Sequence, residues 1–241
     1  MIAPFELLAR VEPETETLLA AASDLEAPVP TCPGWTSADL LGHLGAIHHW
    51  AASIVERRVA EPTWDRDEPP AADELADWVR EGAGRVTRVL GQADPSDLVW
   101  GWAGDGTAGF WMRRMAHETL VHRLDAEVAA GALGPVDPTI AVDAIDEVVG
   151  SLIQTSWIRP KLAGAGETLH LHATDAPDGE WTITFGNDGP SVEATHAKAD
   201  AALAGPAAPL LAWVWRRGGT AELAVHGDTS VVHRWETDFP L

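Results

Sequence analysis

A change of texture near residues 155–165 constrains this chain most. Before it, apolar residues recur at helical spacing and prolines and glycines cluster between the periodic runs; after it, apolar and polar residues alternate. An all-helical half followed by a smaller α+β half satisfies both patterns, with the boundary set at 158/159: one domain over 1–158, a second over 159–241.

In the first half, Leu7, Leu8, Val11, Leu18, Leu19 and Ala22 predict one helix from Pro4 to Leu25. The prolines of APVPTCPGW forbid its continuation, and Thr36 or Ser37 then caps a second helix through residues 38–59. A proline-rich connection over 61–71 leads to a third helix carrying Leu75, Trp78, Val79, Val86 and Leu90. The glycines of 95–110 interrupt the pattern before a fourth helix, WMRRMAHETLVHRLDAEVAAG, which ends near Gly131. Four amphipathic helices make a bundle. A further helix opens at Asp137-Pro138 and closes before Pro160. Beyond it, TLHLHAT and EWTITFG flank Asp178-Gly179 and read as a β-hairpin; SVEAT is strand-like, PAAPLLAWVWRR a helix, LAVHGD a strand, and the tail amphipathic.

Charge narrows the partners. With 37 acidic against 16 basic side chains the net charge is −21, which repels nucleic-acid phosphates and anionic lipid surfaces, and no apolar run reaches the roughly 20 residues a membrane span needs. A small-molecule partner is the expectation, with neither nucleic acid nor membrane. Cys32 is the only cysteine, so no intrachain disulfide forms, and the first residues lack a basic then apolar leader; together these point to the cytoplasm. The 12 Trp, with no Tyr, read chiefly as core filler, and the scarcity of Lys, confined to Lys161 and Lys198, matches a high-GC genome.

Glu118 and His122 lie four apart on the fourth helix, so their side chains share one face and can grip one ion. On the second helix, His43 shares a stripe with Leu40, Ile47 and Trp50, whereas His48, His49 and His117 read as rim or surface residues. An imidazole–carboxylate–imidazole set suits Zn2+ or another borderline divalent metal, and three protein ligands leave the open position of a catalytic site. Asp125, three residues beyond His122, is a candidate acceptor for an imidazole N–H, or a surface charge. His170 and His172 share a strand face but have no third ligand in sequence, and Cys32 has no basic neighbour to make it a thiolate.

The blocks CPGWTSADLLGHLGAIHHW, WMRRMAHETLVHRLDAEVAAG, IDE, TLHLHATD, GEWTI and VHGD, in that order, resemble the mycothiol-dependent maleylpyruvate isomerase family over nearly the whole chain. The resemblance implies a DinB-like four-helix bundle followed by an α+β domain similar to the sterol-carrier-protein fold. It implies a divalent metal, Zn2+ first, on His43, Glu118 and His122, with mycothiol as thiol cofactor. It also implies an isomerase or S-transferase acting on a small electrophile. A family arginine corresponds to Arg217, with Arg216 as the neighbouring choice. Arg113, Arg114 and Arg123 lie on the helix of Glu118 and His122; Arg123 and Arg217 are taken as catalytic, and Arg113 and Arg217 as cofactor-binding, through carboxylate contacts. A non-catalytic carrier or regulator, and a hydrolase using metal and water, are the alternative readings.

Overall fold

The computed structural model describes residues 2–58, 66–103 and 106–239. Residues 61–65 of the connection expected over 61–71 fall outside them. The chain divides into two compact units, Met1–Gly134 and Pro135–Leu241. Among the described residues there are eight α-helices and one five-stranded sheet.

The first unit contains α1 (Pro4–Leu8), α2 (Val11–Ala21), α3 (Ser37–Arg57), α4 (Ala72–Gly91) and α5 (Ala108–Ala129). The single helix expected over 4–25 is two, and Pro13 supplies the reason. In an uninterrupted helix its ring would collide with the carbonyl of Ala9, four residues earlier. Restarting the helix at Val11 puts Pro13 in the first turn, where no amide hydrogen is required.

Helices α2, α3, α4 and α5 form the bundle around Leu18, Leu40, Leu41, Leu44, Leu75 and Val79. Close approach of α3 and α4 depends on Gly45, where a Cβ would run into the Trp78 ring. Thr36, not Ser37, caps α3 in a capping box: its Oγ1 accepts from the Asp39 amide at 3.3 Å, and Asp39 Oδ2 accepts from the Thr36 amide at 2.8 Å. Thr107 caps α5 by a single bond, its Oγ1 accepting from the Phe110 amide at 3.2 Å.

The second unit contains α6 (Pro138–Gly150), β1 (Glu167–Ala173), β2 (Glu180–Gly186), β3 (Gly189–Glu193), β4 (Ala201–Gly205), α7 (Ala207–Val214), β5 (Ala224–Gly227) and α8 (Thr229–Asp238). The strands run β3-β2-β1-β4-β5, with β1 and β4 parallel and the other pairs antiparallel. Leu169, Leu171, Trp181, Ile183, Phe185 and Leu203 point to the core face, with α7 and α8 packed on β1 and β4. Asp137 caps α6 with Pro138 at its first position, as the sequence indicates.

Helix α6 packs on α7 and so belongs to the second unit, and the division falls at 134/135 rather than at 158/159. A helical period identifies a helix but not the partner that covers its apolar face. Strand β4 has no counterpart in the sequence reading. Its residues, AALAG, carry little strand propensity, and their place between β1 and β5 decides their conformation. No helix among the described residues is long and apolar enough to cross a membrane.

Candidate metal centre

The site begins in the loop before α3. Pro33 and Gly34 occupy the centre of a turn closed by the Trp35 amide donating to the Cys32 carbonyl at 3.0 Å, and Gly34 takes the φ of +87° that a type II turn requires. A second bond, from the Val29 amide to the Trp35 carbonyl, ties the loop across its base. The turn therefore delivers Cys32 and Trp35 to fixed places one step before the capped start of α3.

Two turns into α3, His43 meets the face of α5 that carries Glu118 and His122. Glu118 Oε1 lies 3.1 Å from His43 Nε2 and 3.3 Å from His122 Nε2, and one donor atom from each of the three lies within 4.8 Å of the others. Both imidazole edges thus address the same carboxylate oxygen. The other oxygen, Oε2, accepts from Arg114 Nη2 at 2.5 Å, one turn earlier on α5. Arg114 is 3% exposed, so the ion pair is shielded from solvent screening.

Behind His122, Nδ1 lies 2.9 Å from Asp125 Oδ2, and Asp125 is fully buried. Asp125 is therefore an orienting partner and not a surface charge; it fixes which nitrogen faces Glu118. Trp35 lies beside the two imidazoles, its ring centroid 5.0 Å from that of His43 and 6.4 Å from that of His122. Cys32 Sγ donates to Asp125 Oδ2 at 3.5 Å.

Charge at the trio follows from this packing. Burial alone would raise the Glu118 pKa, but the Arg114 guanidinium and the hydrogen bonds from His122 and His43 hold it well below the carboxylate range. Burial likewise opposes protonation of His122, yet the hydrogen bonds and charges of Asp125 and Glu118 prevail and push it up to about 9. Without a metal ion, a proton on each imidazole edge is what lets both approach one oxygen. A divalent cation would satisfy the same atoms, so the donor set fits a Zn-type ion, and three protein ligands would leave one coordination position to another ligand.

The remaining sequence candidates fall elsewhere. Arg123 is buried with Nε 3.0 Å from Glu14 and Nη1 3.6 Å from Glu127, so Arg114 and not Arg123 is the arginine at the trio. Arg113 is half-buried one position before it. Arg217, in the second unit, donates to the Trp215 carbonyl at 2.9 Å with its guanidinium 5.9 Å from the Trp215 ring centroid. Arg216 is tied to the Phe239 carbonyl at 2.7 Å. His48 is a core residue rather than a rim one: its Nε2 lies 2.9 Å from Thr119 Oγ1, and burial pushes it down to about 3.

Two family models match the chain: the mycothiol maleylpyruvate isomerase N-terminal domain over residues 8–127, and the C-terminal domain of the same family over 139–234. The chain belongs to the mycothiol-dependent maleylpyruvate isomerase family. The crystal structure of the mycothiol-dependent maleylpyruvate isomerase matches with a TM-score of 0.62 at 14% identity, covering 93% of each chain. A histidine-to-alanine mutant of that isomerase matches with a TM-score of 0.61 at 15% identity, also covering 93% of each. At such identity the likeness establishes the shared fold, which is the two-domain architecture the sequence implies. No curated protein matches the chain. The two models meet across residues 128–138, the stretch in which the structure divides.

Proposed function

We propose that this member of the isomerase family is a metal-dependent enzyme that uses mycothiol to isomerise a small electrophile of the maleylpyruvate kind, or to add to it as a thiol transferase does. The observation that carries the reading is the convergence of His43, Glu118 and His122, backed by Asp125 and Arg114. Family membership supports the thiol cofactor and the substrate class.

A divalent ion on these donors supplies a Lewis-acid position at which a thiol persists as thiolate near neutral pH. The protein's own groups prepare that position. Asp125 keeps the proton of His122 on Nδ1, so that Nε2 presents its lone pair to the ion. Arg114 holds Glu118 Oε2, leaving Oε1 to the trio. Trp35 screens the two imidazoles on one side. Arg113 and Arg217 are assigned to carboxylate recognition on cofactor and substrate, as the family resemblance implies.

Metal analysis of the protein and its His122→Ala variant, followed by titration with mycothiol and assay with maleylpyruvate, tests this reading. It expects one equivalent of metal to disappear in the variant, together with thiol binding. A wild-type protein that takes up no Zn2+ sinks it. Thiol-independent turnover that yields hydrolysis products would instead establish water as the nucleophile and a hydrolase.

A further inference from the structure

The second unit carries another group of nitrogen and oxygen donors. His170 and His172 are two apart on β1 and point to the face opposite Leu169 and Leu171. Glu180 on β2 is the register partner of His172, which sets its carboxylate on the same face. The segment between β3 and β4 adds His196, and the Thr182 hydroxyl, donating to the Thr195 carbonyl at 3.1 Å, ties that segment to β2.

Four side chains meet there. Glu180 Oε2 lies 3.0 Å from His196 Nδ1 and 3.9 Å from His170 Nε2, and Glu180 Oε1 lies 3.3 Å from His172 Nε2. Donors bound tetrahedrally at about 2.0–2.1 Å from a Zn2+ ion stand roughly 3.3 Å apart, within the range of these separations. The register neighbours of His170 and His172 on β4 are Ala202 and Ala204, so no long side chain crowds the imidazoles.

A second, independent observation points to a ligand. His170 is 6% exposed and its Nε2 is buried without a hydrogen-bond partner, although it faces Glu180. Buried polar atoms are nearly always satisfied, and this one faces a carboxylate beyond hydrogen-bond reach, with His196 close by. An ion between them would satisfy it.

We propose that His170, Glu180 and His196 form a second binding site for a borderline divalent cation such as Zn2+, separate from the helical trio. The three donors come from β1, β2 and the segment between β3 and β4, so one ion would bridge three parts of this unit. The ion pins the segment carrying His196 to the sheet.

Equilibrium dialysis of the full chain against ZnCl2 alone tests the site. Wild type should hold two equivalents, His122→Ala one, His196→Ala one, and the double variant none. His196 is 75% exposed at its side chain, so its loss leaves the fold intact, as circular dichroism will verify. Glu180→Gln should weaken the second equivalent more than about 100-fold, above the effect of losing an outer-sphere partner. The visible spectrum of bound Co2+ in His122→Ala should collapse on adding His196→Ala. A His196→Ala protein that binds as much Zn2+ as wild type, or a His122→Ala protein that binds none, overturns the proposal.

Discussion

The helical trio and the sheet cluster use the same side-chain chemistry on opposite foundations. His43, Glu118 and His122 stand on two long, capped helices, and each is restrained: Glu118 by Arg114, His122 by Asp125, His43 by Glu118 and the Trp35 ring. The sheet cluster draws its donors from two strands and an irregular segment, and its single carboxylate lies 3.0 Å from His196 and 3.3 Å from His172 but 3.9 Å from His170, beyond hydrogen-bond reach. Rigid elements with a supporting shell suit a site that must keep one position open for a ligand. Convergence across strands and a connecting segment suits a clasp.

Substitutions can break this contrast. The largest effect belongs to Glu118→Ala, which removes the shared carboxylate and leaves Arg114 buried; Zn2+ affinity at the trio, read by competition with a chelator dye, should fall more than about 1000-fold, roughly 4 kcal/mol. Asp125→Ala should cost about 10–100-fold at the trio and nothing at the sheet cluster. Equal losses at both sites would mean that the orienting bond has no special role. Gly45→Ala should lower stability to urea by about 1–3 kcal/mol, because the added methyl meets the Trp78 ring, without changing the metal count. Thr36→Ala should cost about 1 kcal/mol by removing the cap of α3.

Acid sharpens the comparison further. His48 is held neutral by burial, with its pKa down near 3 in the folded chain against 6.5 for an ordinary histidine. The unfolded chain therefore takes up a proton the folded chain refuses, and the stability this confers is complete above about pH 6.5 and lost as pH falls toward 3. His48→Gln should flatten that part of the stability curve, as measured by urea unfolding at a series of pH values.

Sequence carried far more of the first cluster than of the second, for a physical reason. Glu118, His122 and Asp125 are spaced on one helix, where periodicity alone sets which side chains are neighbours. Choosing His43 needed only the apolar stripe of α3. Arg114 obeys the same i,i+4 rule relative to Glu118, and its burial was the missing information. Trp35 and Cys32 arrive through a turn whose sequence announces the bend but not what it faces. At the sheet, the spacing of His170 and His172 was readable, while Glu180 depends on hairpin register and His196 on the path of a connection. The placement of α6 and the existence of β4 were hidden for the same cause: each is settled by contacts distant in sequence.

The Cys32 thiol has a practical consequence. It is the only sulfhydryl in the chain, it is half-buried, and it touches the carboxylate that orients His122. A single alkylating reagent therefore labels one atom per molecule, at the back of the trio. Its labelling rate becomes a native gauge of that site, needing neither an engineered probe nor a substrate.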